Sequence, residues 1–167
     1  MPPTATILPD EIRRAKWPHE LFLINLVFNH ILVFASTFGV YSTFPWMVLV
    51  VPTISFAITG YLLVTAKKIA RTEETRLVKS HWIVADRRNK QFIVVVLLAC
   101  AAFGGGYLLA GALGWSKITT IAVLTGIGLL PFMGALLYLI VMGNFSMYQA
   151  RHNKLPKEFE DQAPSPS

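Results

Sequence analysis

The sequence has one cysteine, nine acids and, over four long stretches, almost no charge at all. Each scarcity excludes something. Cys100 alone cannot form an intrachain disulfide, and a thiol inside an apolar run is expected to be inert packing. No CxxC, HExxH or Cys/His cluster is present, so no metal site is expected. Haem is disfavoured as well. His19 and His30 are eleven residues apart, about 16 Å along a helix, too far to clasp one iron, and His81 belongs to a different depth. No Gly-rich phosphate loop, nucleophile elbow or pair of carboxylates appears, so neither a catalytic set nor a cofactor is expected.

Charged residues make up 14% of the 167, against about a quarter in soluble domains, while 54% are hydrophobic. The apolar residues collect into runs at 20–41, 45–66, 91–113 and 118–142. Each run reaches the roughly 20 residues needed to cross a bilayer core of about 30 Å. Apart from Glu20 at the edge of the first, none contains Asp, Glu, Lys or Arg. The fold expected is an all-α integral membrane protein with four transmembrane helices in two antiparallel hairpins. The transmembrane domain is 20–142, between an N-terminal segment 1–19 and a polar, Pro/Ser-rich tail 143–167. The beginning, with its acids and prolines, does not read as a secretory signal peptide.

The cations predict the orientation. Three lie in the N-terminal segment, eight in the linker 67–90 and three after the last run, so fourteen of fifteen share one side if every run spans. Only Lys117 lies opposite. Lys/Arg-rich short loops stay in the cytoplasm. Both termini and the linker are therefore expected there, in a multi-pass protein of a bacterial-type inner membrane. Trp17, Trp46, Trp82 and Trp115 are expected near the membrane–water interfaces, where indole has an apolar body and one donor to satisfy.

The linker reads as an amphipathic interfacial helix between helices two and three. Thr72 would cap it, Glu73 and Glu74 would sit in its first turn, and Leu77, Trp82 and Ala85 would share one face. Arg76, Lys79, His81, Trp82, Arg87 and Arg88 are the candidates for contact with anionic lipid headgroups or a partner. They also serve as topology determinants.

Inside the runs, small residues at fourfold spacing mark close helix contact, because lipid supplies no hydrophobic drive between helices. Ala102, Gly106 and Ala110 on helix three are expected to face Ala122 and Gly126 on helix four. Pro52 and Pro131 each remove a backbone donor mid-run, with nearby hydroxyls to relieve the freed carbonyls. Asn25 and Asn29 of helix one share a face, and folding about Thr43 puts Asn29 and His30 level with Phe56 and Ala57 of helix two, within reach of Ser55 or Thr59. Such a cluster is either interhelical glue or an ion, proton or substrate path.

The reading that follows is a non-enzymatic membrane subunit. It would assemble or stabilise a larger complex of integral membrane proteins, or a homo-oligomer, among anionic lipids and away from nucleic acid. The alternatives are a small oligomeric transporter or channel using Asn25, Asn29 and His30, and a lipid- or quinone-modifying enzyme at the inner interface.

Overall fold

A computed structural model describes residues 8–40 and 43–160, and among these the only regular elements are helices. We number them α1 (residues 9–40), α2 (Pro45–Ala70), α3 (Arg76–Ala112), α4 (Lys117–Arg151) and α5 (Lys157–Glu160). The first four are long and apolar enough to cross a membrane, and the chain has the make-up of a multi-pass membrane protein. Contacts group the chain into two units, Met1–Asn89 with Met142–Ser167, and Lys90–Val141.

Helix α1 begins eleven residues before the first apolar run. Pro9 takes the first position, where no N–H is needed, and Asp10 and Glu11 sit in the first turn against the positive end of the dipole. Pro18 is internal and buried. It has no N–H to give the carbonyl of Arg14, one turn earlier, yet the helix continues through it. From Ile24 to Val33 the helix widens into π geometry before Phe34–Val40 restores the α form.

Helix α2 opens with 3-10 turns over Pro45–Leu49 and becomes α-helical at Val50. Pro52 therefore falls in the first α turn rather than mid-helix, where its missing donor costs little. Thr53 Oγ1 donates to the Leu49 carbonyl at 2.7 Å. The helix ends at Ala70, where both the hydroxyl and the backbone N–H of Thr72 donate to the Ile69 carbonyl.

Thr72 thus closes α2 instead of opening the next helix. Thr75 does that, its Oγ1 accepting from Val78 N at 3.5 Å. Glu73 and Glu74 lie in the connection. The amphipathic helix expected between helices two and three runs on into the third: it is the first part of α3, which is unbroken for 37 residues. No turn signal interrupts 76–112, and the change from polar to apolar composition does not by itself end a helix.

In the unit Lys90–Val141, α3 and α4 form an antiparallel hairpin. Gly114 has φ +66°. Trp115 N donates to Ala110 O at 2.9 Å and Gly114 N to Gly111 O at 3.2 Å, the paired bonds that close a helix through a left-handed glycine. Ser116 then caps α4, accepting from Thr119 N at 3.1 Å. Helix α4 is π over Leu124–Leu129, immediately before Pro131. A proline ring crowds the carbonyl four residues earlier, and widening the turn there relieves it.

The hairpin's close contacts differ from the expected small-to-small stripe. A Cβ on Gly106 would lie 2.5 Å from Leu124 Cδ2, and one on Gly128 would lie 3.0 Å from Phe103 Cζ. Large side chains of each helix thus seat on glycines of the other. Gly126 faces open space, and Ala102 and Ala122 are exposed, while Ala110 is buried. The π turn changes which residues share a face, so Gly128 takes the place foreseen for Gly126.

In the other unit, the core is built from Ala15, Phe22 and Leu26 of α1, Leu62 of α2, Val78, Trp82 and Ala85 of α3, and Ala150 of α4. Gly143 lets α4 approach α1, since its Cβ position is 3.0 Å from Leu23 Cδ2.

Candidate functional site

Two polar groupings lie inside the unit that contains α1 and α2. The first is on the π segment of α1. Asn29 Nδ2 donates to the Val51 carbonyl of α2 at 2.9 Å and to Asn25 Oδ1 at 3.1 Å. Asn25 Nδ2 reaches Ser55 Oγ at 3.4 Å. His30 Nδ1 is 2.9 Å from the Asn25 carbonyl, which can only accept, so that nitrogen carries the hydrogen. Asn25 and Asn29 are fully buried. Their donors are spent tying α1 to α2 and closing the turn of α1 itself. Thr59 stands apart from this group. Its carbonyl accepts from Asn89 Nδ2 of α3 at 3.1 Å, and its buried hydroxyl has no partner among the described residues.

The second grouping was not foreseen as a unit. His19 of α1 and His81 of α3 are buried against each other, edge to face, with His19 Nε2 3.1 Å from His81 Nδ1. His81 Nε2 is 3.0 Å from the Lys154 carbonyl. That carbonyl can only accept, so His81 Nε2 holds the hydrogen. In the neutral ring Nδ1 then accepts, and His19 Nε2 donates to it. The chain of bonds has one direction, from His19 through His81 to Lys154. His19 Nδ1 is left with no hydrogen-bond partner among the described residues. Burial lowers the proton affinity of His81, ten residues ahead of the apolar run of α3, and the bond to Lys154 partly offsets this.

The Lys154 carbonyl is presented by the end of α4. Asn153 adopts φ 56°, a left-handed conformation that asparagine tolerates. Lys154 N returns to Gln149 O at 2.9 Å, closing the helix. The chain then turns to Pro156 and α5.

Trp82 neighbours this pair and is 4% exposed, packed inside the unit rather than open at its surface. Its Nε1 donates to the Arg14 carbonyl at 3.1 Å. That carbonyl is the one Pro18 cannot serve, so the indole satisfies it from another helix. Trp17, Trp46 and Trp115 remain exposed.

The remaining cations proposed for headgroup or partner contact are partly committed within the chain. Arg76 Nη2 donates to the Phe159 carbonyl at 3.1 Å, and Arg87 pairs with Glu158, which is also 3.7 Å from Arg88. These bonds hold α5 against α3. Arg87 and Arg76 keep exposed faces, Lys79 and Arg88 are half-buried, and His81 and Trp82 belong to the interior. An apolar face reading put Trp82 at a surface; burial of that face against α1 is what the sequence did not reveal.

Compared with known protein families, with curated proteins and with solved structures, the chain matches none of them.

Proposed function

We propose that this protein is a non-enzymatic membrane subunit whose work is to pack against other integral membrane proteins, or a second copy of itself, and stabilise the assembly. One observation carries the reading. Of the most apolar stretch of α3, 6% is buried by the rest of the chain. Along it Gly104, Gly105 and Gly111 face open space, so a neighbouring helix backbone can approach where bulkier residues would hold it off.

The polar interior supports the same reading. Asn25, Asn29 and His30 bond across or along helices, the use expected of interhelical ties rather than of a transport path. Their support goes to a fixed scaffold.

The cation distribution supports placement in a bacterial-type inner membrane with both termini and the region 67–90 in the cytoplasm. A cysteine introduced at Arg71 should then be protected from an impermeant thiol reagent added to intact cells.

Native mass spectrometry directly from membranes tests assembly. A species larger than the monomer is expected, and Gly105→Leu should diminish it while Leu98→Ile, on the same helix, should not. Monomer alone, from mildly treated membranes, would remove the basis for the proposal.

A further inference from the structure

The first turns of α1 and the last turns of α2 border a half-open cavity of about 430 Å³. Arg13, Arg14 and Trp17 line it from α1, Tyr61 and Thr65 from α2, and Trp82 from α3. A second cavity of about 400 Å³ shares Trp17 and Tyr61 and continues along Leu21, Ala57 and Ile58. The two helices are antiparallel here, since Asn25 meets Ser55 and Asn29 meets Val51. Rising numbers on α1 and falling numbers on α2 therefore lead the same way, from the charged ends into the apolar runs. The two cavities meet at Trp17 and Tyr61, with the two guanidinium groups, Thr65 and Ile69 toward the charged end and the carbon side chains of Leu21, Ala57 and Ile58 toward the other.

We propose that this groove binds one anionic phospholipid, its phosphate at Arg13 and Arg14 and an acyl chain lying over Leu21, Ala57 and Ile58. The polarity of the groove runs in the same order as that of the lipid. No carboxylate lines either cavity. Arg14 does pair with Glu74 and Arg13 with Asp10. A guanidinium has five donors in a fork, so each can hold a carboxylate on one edge and a phosphate oxygen on another. Lys67 and Lys68 in the last turn of α2 add positive charge at the same end, which selects a headgroup of net negative charge over a zwitterionic one.

The walls are suited to a slender chain. Trp17 and Tyr61 are each close to half exposed, so the groove opens sideways to the surrounding lipid and a chain can enter without the helices parting. Tyr61 is braced edge-on by Trp82, ring centres 6.5 Å apart, and Trp82 is itself fixed by its bond to Arg14 O. Aromatic rings of this kind sit at the level where headgroup meets chain. The site does not depend on whether the protein assembles with a partner.

The test is native mass spectrometry of the full chain released from phosphatidylcholine nanodiscs containing phosphatidylglycerol. Wild type should retain one phosphatidylglycerol after washing with detergent, in preference to phosphatidylcholine. Arg13→Gln with Arg14→Gln should reduce retention about tenfold, the scale of one lost charge-assisted hydrogen bond. Ala57→Trp, which fills the tail groove and leaves both arginines, should reduce it similarly. Arg87→Gln, remote from the groove, should leave it unchanged, and Arg13→Gln alone, at an exposed site, guards against a double variant that fails to fold. Loss with the arginine variants but not with Ala57→Trp, or displacement of the lipid by millimolar glycerol phosphate, would make this a headgroup-only site and overturn the proposal. Equal retention by wild type and all variants would overturn it too.

Discussion

Trp82 and Arg14 are joined because of a third residue. Pro18 cannot donate to the Arg14 carbonyl, and the indole of Trp82 supplies the hydrogen from α3. A proline that would ordinarily bend or stop a helix becomes the point at which another helix is fastened to it.

Trp82→Phe removes that donor and should destabilise the protein by about 1 kcal/mol, the net contribution of one hydrogen bond to a part-buried carbonyl. Pro18→Ala restores an N–H within α1. In that background the same Trp82→Phe change should cost less, because the carbonyl has a partner again. Thermal unfolding in detergent of the four proteins of this cycle measures the coupling, and strictly additive effects would contradict the account.

The histidine pair predicts a pH dependence. His81 is held below the ordinary histidine value of 6.5 by burial, so the unfolded ring takes up a proton in a range where the folded one resists. The unfolded state then binds more protons, and stability should be full above about pH 6.5 and fall as the pH drops beneath it. His81→Gln should flatten the slope of melting temperature against pH over that interval. An unchanged slope would show that His81 does not contribute.

In the α3–α4 hairpin, three glycines separate by environment. Gly128→Leu drives into the Phe103 ring and Gly106→Leu into Leu124, and each should cost ~1–3 kcal/mol, typical of overpacking. A Cβ at Gly126 would meet nothing within 4 Å, so Gly126→Leu should be close to neutral. Detergent melting curves of the three variants rank them, and a Gly126 variant as damaging as the others would contradict the register.

Asn29→Leu removes a donor shared between the Val51 carbonyl and Asn25. Such ties between membrane helices contribute ~0.6–2 kcal/mol, so the variant should lose modest stability and leave assembly intact. Complete loss of the assembled species, with folding preserved, would give Asn29 a role beyond holding α1 to α2.

The four apolar runs were plain in the sequence because lipid demands uninterrupted length, and so was the shared face of Asn25 and Asn29, but the register was not, since Asn29 meets Val51 rather than the level of Phe56. Other features were readable but outweighed. The Leu-Pro-Asp-Glu at 8–11 is a helix start, but it lies ahead of the apolar run 20–41 from which the first helix was read. Thr72 was the cap expected, and the bonding gives that place to Thr75. The π segments have no residue signature of their own, which is why Gly128 rather than Gly126 faces α3. His19 and His81 stand 62 positions apart, and Arg87 and Glu158 stand 71, on elements whose packing no local pattern specifies.

The left-handed turn at Asn153 has a practical corollary for anyone altering the chain. Cutting the protein at Arg151, just where the last long helix finishes, would look harmless, yet it would strip away the oxygen that orients the imidazole of His81 and the carboxylate that grips Arg87. Fusion partners and purification handles therefore belong beyond Glu160, downstream of this clasp.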